Sequence, residues 1–357
     1  MMYNDLGKNM EQLANMNSTD LSKERITPKI ALSAEKASEI LNSFGLTLTD
    51  SVREVGGGRI ANNLIAKTKE QGDVIIRLYP KTYGISKVAF EADVLRHFSD
   101  SGVMVPAPIN LTASRQNFNN ILQLDEIDIF VYRALPGKTL TQDQLSVPVA
   151  KVAGAALYNL VSASVKYQPT KLLLHGNLGF ISGLLRAAKE RDAAFAMLPV
   201  AAEMETIITD KNTVESLAKT SKGIVHADFF FENLLLKDGN VTGILDFGDA
   251  YYGHVVNDAI IGAMEFSVQS DETWNINMWH SFMQENSPWL KHEPLSPELM
   301  RSILLANCIR FAVYTLPFTQ QEGLPIETNK YIQRFLAIKH DDLGEKLEES
   351  FENAIGK

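Results

Sequence analysis

The stretch HADFFFENLLLKDGNVTGILDFGD, His226 to Asp249, limits what this chain can fold into more than any other. Leu234 to Leu236 and Val241 to Leu245 are apolar, strand-favouring runs on either side of Lys237-Asp238-Gly239-Asn240. An Asp-Gly pair between two such runs is a strong hairpin signal, because the favoured two-residue turn needs positive φ at both central residues. Pairing the runs carries Asn233, at the start of the first strand, to the side of Asp246, at the end of the second, so that both oxygens can reach one cation. Asp228 lies a few positions upstream, in a loop that can face the same place. A hard divalent ion such as Mg²⁺ takes a few carboxylate or amide oxygens and completes its shell with substrate phosphates. An aspartate beside it can accept the proton of a hydroxyl that attacks a phosphoryl group. The spacing therefore suits phosphoryl transfer from a nucleotide.

The remaining chain is long enough to carry such a site on a large core. Its 357 residues suffice for at least one such core and for two lobes, and a composition of 45% hydrophobic and 22% charged residues is that of a folded globular protein. Cys308 is the single cysteine, which excludes an intrachain disulfide and favours a reducing compartment, the cytoplasm. The N-terminus, MMYNDLGKNMEQL, lacks the cationic flank and apolar core of a signal peptide. The most apolar window, Val147 to Val165, carries a proline, a lysine and an asparagine and reads as a buried helix rather than a membrane span. With a net charge of -9 and no run of Lys or Arg, neither nucleic acid nor membrane is expected as a partner.

Along the chain, residues 1–30 are polar and aperiodic and read as an arm. From Ser33 onward, Ala34, Ala37, Ile40, Leu41 and Phe44 recur at helical spacing, with Ser33 as cap and Gly45 as stop. Three strand-like runs follow, SVREV, NLIAKTK and DVIIRLY, then a helix over 86–98 and a hairpin made of ILQL and IDIFVYRAL. Beyond about 140 the pattern is mainly helical, apart from the His226–Asp249 stretch. Gly56-Gly57-Gly58-Arg59-Ile60-Ala61 satisfies GxGxxA, but a dinucleotide-binding turn requires a helix next, and strands follow. Gly57 and Gly58 fit a flap over nucleotide phosphates better, with a plain turn as the alternative. Gly137-Lys138-Thr139 lacks the earlier glycine of a P-loop, and His175-Gly176-Asn177 reads as a loop. Ser296 and Pro297 read as a helix cap and first turn, ahead of an apolar helix containing Cys308.

HxDxxxxN over 226–233 followed by DFG over 246–248 resembles the catalytic and metal-binding loops of the protein-kinase-like fold. The closer resemblance is to its small-molecule branch, the aminoglycoside and choline phosphotransferases, with HADFFFEN and NCIRFAVYTL similar to homoserine kinases and ILDFGDAYYGHVVNDAI similar to hydroxylysine kinases. It covers about residues 50–320. It implies an α+β, bilobal fold: a nucleotide-binding lobe over 31–134, with an antiparallel sheet and one helix, and a larger helical lobe over 135–357. By position it implies Asp228 as catalytic base, His226 as support of its loop, Asn233 and Asp246 as metal ligands and Asp258 as a buttress, a simple helix cap being the alternative for Asp258. Arg77 takes the place of the phosphate-contacting cation, Glu91 that of its helix partner, and Tyr132-Arg133-Ala134 that of the hinge whose backbone holds adenine.

The departures are Ala227 for the commoner glycine, Arg77 for lysine, and Phe230 where protein Ser/Thr kinases carry lysine. The last favours a small acceptor. The expectation is an ATP- and Mg²⁺-dependent kinase acting on the hydroxyl of an amino alcohol or amino acid such as homoserine or hydroxylysine. Asp249 and Glu265 are candidate partners for the acceptor's amine, solvated surface carboxylates being the plainer alternative. An antibiotic phosphotransferase, a protein kinase and a nucleotide-binding pseudokinase are the competing readings, and intact Asp228, Asn233 and Asp246 argue against the last.

Overall fold

A computed structural model describes residues 32–55, 61–112, 120–124, 126–169 and 177–356. The 1–30 arm, the Gly56-Gly57-Gly58 turn and His175-Gly176 lie outside the described residues. The chain divides into two units. Among the described residues, one takes 32–139 and then Asn233–Gly248; the other takes Leu140–Glu232 and the residues from Asp249 onward. In place of a single boundary after 134, the chain leaves the sheet-bearing unit after Thr139 and comes back to it for the hairpin.

The sheet-bearing unit begins with α1 (Ala34–Ser43), whose cap is Ser33, its hydroxyl accepting the Lys36 amide at 3.2 Å. Strands β1 (Arg53–Val55), β2 (Asn62–Thr68) and β3 (Gly72–Pro80) lead to α2 (Ile85–Asp100), followed by β4 (Leu122–Gln123), β5 (Ile127–Arg133) and the short β6 (Lys138–Thr139). The first five strands form an antiparallel sheet in the order β1-β2-β3-β5-β4. Side chains alternate along a strand, so β3 presents Val74, Ile76 and Leu78 to one face, where they join Ile129 and Val131 of β5 and Ala37, Ile40 and Leu41 of α1 in one core. Each large aliphatic side chain so buried stabilises the unit by about 1.5–3 kcal/mol. The same alternation puts Arg77 and Tyr79 of β3, with Phe130 and Tyr132 of β5, on the other face.

β7 (Lys222–Val225) belongs to the helical unit, and the chain then re-enters the first unit through β8 (Leu234–Lys237) and β9 (Asn240–Ile244). Leu234 pairs with Ile244 and Lys237 with Asn240; between them Asp238 and Gly239 have φ of 52° and 75°, the left-handed pair that the Asp-Gly signal calls for. β6 adds to the free side of β8.

The helical unit contains α3 (Val147–Ser164), α4 (Leu178–Arg191), α5 (Ala193–Met197), α6 (Pro199–Thr209), α7 (Lys211–Leu217), α8 (Val256–Glu265), α9 (Ile276–Leu290), α10 (Pro297–Gln321), α11 (Lys330–His340) and α12 (Leu343–Ile355). α3 and α9 pack closely, and Gly154 is what permits it: a Cβ there would stand 2.7 Å from the Phe282 carbonyl oxygen. Asn177 stands just ahead of α4 and caps it, its side-chain oxygen accepting the Phe180 amide at 2.8 Å. α10 opens as its sequence suggests, with the Ser296 hydroxyl accepting the Leu299 amide at 3.2 Å and Pro297 in the first turn. It is long and apolar enough to cross a membrane, yet 78% of its apolar window is buried inside the protein. Cys308 lies in this helix, and burial pushes its thiol up to about 12, which leaves it unreactive. One element departs from the helical pattern: β7 pairs antiparallel with β10 (Tyr251–His254), a ribbon too short for periodicity to reveal.

Candidate active site

Asn233 and Asp246 are brought together by the β8–β9 pairing. The ladder runs one step past the strands, the Leu245 amide donating to the Asn233 carbonyl at 2.8 Å, so the two residues flank the same end of the hairpin. Phe247 anchors the turn, fully buried and 5.5 Å from Phe98 of α2 between ring centres. Asp246 has φ of 60° and its side chain is 48% exposed, which leaves the carboxylate facing outward from the turn. One carboxylate and one amide oxygen, both hard donors, form a set that fits Mg²⁺ with phosphates completing its shell.

Arg77 reaches this carboxylate from β3, Nη2 donating to Asp246 Oδ1 at 3.0 Å. Its Nε lies 3.4 Å from Glu91 Oε1 on α2 and also donates to the Tyr79 hydroxyl, which in turn donates to Glu91 Oε2. Burial pulls the guanidinium pKa down, but Glu91, Tyr79 and Asp246 more than offset it and hold it well above its ordinary value. The guanidinium is a permanent, desolvated positive charge beside the hairpin turn.

In the helical unit, β7 runs straight into His226-Ala227-Asp228. Asp258, fully buried in the first turn of α8, accepts the amides of His226 at 2.7 Å and Ala227 at 2.8 Å. From α10, Arg310 Nη1 donates to the Ala227 carbonyl at 2.6 Å. The peptide groups around Ala227, whose φ is 69°, are thus gripped at their N–H groups by a carboxylate and at their C=O by a guanidinium. His226 is buried and its Nδ1 accepts the Asp228 amide at 3.2 Å, so its visible part is to shape the loop. Phe230 packs edge-on against Phe311 at 5.2 Å, an apolar contact where a protein kinase would hold a lysine.

Comparison with known proteins gives the chain a family. Residues 51–291 match the Phosphotransferase enzyme family (APH). The chain belongs to this family. The phosphotransferase is 23% identical over 288 residues to the homoserine kinase of Afipia carboxidovorans, covering 80% of this chain and 84% of that one, and 22% identical over 254 residues to that of Methylobacillus glycogenes, covering 71% and 75%. An amicoumacin kinase in complex with AMP-PNP, Ca²⁺ and Ami superposes with a TM-score of 0.58 at 14% identity, over 90% of this chain and 94% of that one. An aminoglycoside phosphotransferase from Alicyclobacillus acidocaldarius gives 0.58 at 13% identity, over 93% and 97%. The fold is therefore the α+β, protein-kinase-like one, and the enzyme is a small-molecule kinase that transfers a phosphoryl group to a hydroxyl.

Several expected residues of the phosphotransferase stand differently from their sequence reading. Glu265 is no surface carboxylate and no ready partner for an amine: it is 3% exposed and bound by Arg334 Nη1 at 2.8 Å, while Arg334 also reaches Glu272 at 2.9 Å. Asp249 is half-exposed, but it lies 3.5 Å from Arg310 Nη2. At the hinge, the Arg133 amide donates to the Ala107 carbonyl and the Ala134 amide to the Asp73 carbonyl, and Tyr132 is buried. The amides of Arg133 and Ala134 are thus satisfied within the protein. Arg310 and Tyr79 were missed. A lone cation inside the apolar run NCIRFAVYTL was the available signal for the first; for the second there was none beyond strand alternation.

Asp258 carries a pH dependence. Burial raises its pKa from 3.8 to about 7, against the two amides and Arg310, which lower it. The folded protein thus binds this proton more tightly than the unfolded chain from about pH 4 to 7, and the group's contribution to stability falls as pH rises through that window. Urea midpoints of the wild type and Asp258→Asn, compared from pH 5 to pH 8, should show the wild type's stability relative to the variant declining as pH rises. A constant difference would remove Asp258 from the titration.

Proposed function

We propose that the phosphotransferase uses ATP and Mg²⁺ to phosphorylate the hydroxyl of a small amino acid or amino alcohol, with homoserine the first acceptor to test. Asp228 takes the hydroxyl proton, Asn233 and Asp246 hold the metal, which supplies charge neutralisation on the phosphates, and Arg77 contacts those phosphates. The observation that carries this reading is the Arg77 guanidinium held between Glu91 and the Asp246 carboxylate, a fixed cation beside a hard-oxygen pair. Support for the acceptor comes from homoserine kinases matched along most of their length and from the Phe230–Phe311 contact on the Asp228 loop. The single, buried cysteine accords with a cytoplasmic enzyme. Antibiotic acceptors are the second reading, favoured by the likeness in fold to an amicoumacin kinase and an aminoglycoside phosphotransferase.

The deciding experiment is ADP release with Mg²⁺ and ATP across hydroxylated amino acids, amino alcohols, sugars and aminoglycosides. Turnover with homoserine or a close analogue supports the first reading; turnover confined to aminocyclitols supports the second. In melts, nucleotide at a hundred times its dissociation constant should stabilise the fold by about 2.7 kcal/mol only with Mg²⁺ present. A shift of equal size without metal would refute the roles of Asn233 and Asp246.

A further inference from the structure

We infer that Tyr79 and Tyr83 are positioning residues for the nucleotide half of the reaction, a phenol pair that fixes Arg77 against Glu91 and ties both to the turn that carries Asp246. The inference rests on the phosphotransferase reading above.

The direct contact between Arg77 Nε and Glu91 Oε1, at 3.4 Å, is longer than the 2.7–2.9 Å typical of a charge-assisted hydrogen bond. The Tyr79 hydroxyl closes that gap, accepting from Arg77 Nε and donating to Glu91 Oε2. Burial holds the phenol well above its ordinary pKa, so it keeps the proton it donates. Arginine in place of the usual lysine makes sense in this setting. A lysine ammonium is a single point of attachment, whereas the guanidinium fork sends Nε to Tyr79 and Glu91 while Nη2 goes to Asp246.

Tyr83 continues the chain of contacts. Its ring stacks on Tyr79 with centres 5.0 Å apart and planes 19° apart, and Tyr79 stacks in turn on Phe130 at 6.0 Å and 20°. The Tyr83 hydroxyl donates to the Gly248 carbonyl at 2.9 Å. Three groups converge on that glycine: a Cβ there would lie 3.3 Å from Asp246 Oδ1, 3.5 Å from Arg77 Nη2 and 3.7 Å from the Tyr83 hydroxyl. A side chain as long and mobile as arginine loses much rotamer freedom when it is held. With Tyr79 that loss is met on folding rather than when nucleotide binds, so affinity gains.

Tyr79→Phe and Tyr83→Phe keep both rings and remove one hydroxyl each. Affinity for Mg²⁺·ADP, measured by calorimetry on the full chain, should fall about tenfold in Tyr79→Phe, the loss of one charge-assisted hydrogen bond. The loss should be smaller in Tyr83→Phe. In steady state the KM for ATP should rise while that for the acceptor stays put. A purely structural role would not move one KM alone. The Tyr79→Phe effect should also vanish in an Arg77→Ala background, because the hydroxyl acts through the guanidinium. Unchanged affinity in Tyr79→Phe, or an equal loss with Arg77 absent, overturns the inference while wild-type binding leaves the phosphotransferase reading standing. Failure of the wild type to bind Mg²⁺·ADP overturns both.

Discussion

Asp228→Asn should lower turnover between about a hundredfold and ten-thousandfold, the range for removing a positioned general base. The amide keeps the size and shape of the carboxylate but cannot accept the hydroxyl proton. The loop around it should stay in place, since its anchors are the Asp258 carboxylate on the His226 and Ala227 amides and Arg310 on the Ala227 carbonyl, none of which involves the side chain of Asp228. ATP affinity and melting temperature should therefore match those of the wild type, and the loss should fall on kcat. Turnover within a few-fold of wild type would assign the proton to another group.

Glu265→Ala should destabilise the fold by about 3 kcal/mol, at the lower end of the range for breaking a buried ion pair. The low end applies because Arg334, 2% exposed, keeps Glu272 as a second carboxylate at 2.9 Å. Replacing Glu265 and Arg334 together by leucine should recover most of the loss, because the cost of the single change is a stranded charge. Urea unfolding of the wild type and the two variants checks this. A carboxylate that served the acceptor's amine would behave differently, raising the acceptor KM with little change in stability.

The two carboxylates show where the sequence is legible and where it is not. Asn233 and Asp246 could be placed together because an Asp-Gly turn between two apolar runs fixes a register, and register is local information. Arg77 and Glu91 could be placed by order along a familiar pattern, and the structure sets them 3.4 Å apart. Glu265 carries no such local mark. Its neighbour Arg334 stands far along the chain on α11, so the sequence shows a charge near a helix end and nothing of what neutralises it. Arg310 has the same difficulty. Its partner is a backbone carbonyl on a loop from another part of the chain, and backbone acceptors leave no trace in the side-chain pattern. Tyr79 was hidden differently, reading as one more strand-favouring aromatic, since alternation tells which face a residue takes but not what it meets there. β7 and β10 escaped because four-residue strands hold too few turns of any period.

The excursion of the chain between Thr139 and Asn233 has a consequence for biosynthesis. The sheet of the first unit is complete in sequence by Arg133, but the hairpin bearing Asn233 and Asp246 leaves the ribosome only after β7 and the preceding helices have been made. At about 5–20 residues per second, the nascent unit waits roughly 5–20 s for these last two strands. During that interval β6 has no β8 to pair with, although the finished protein joins Lys138 to Leu236 and Thr139 to Leu235. A nascent chain stalled before residue 233 therefore carries an open strand edge at β6 and neither Asn233 nor Asp246, a species suited to chaperone capture.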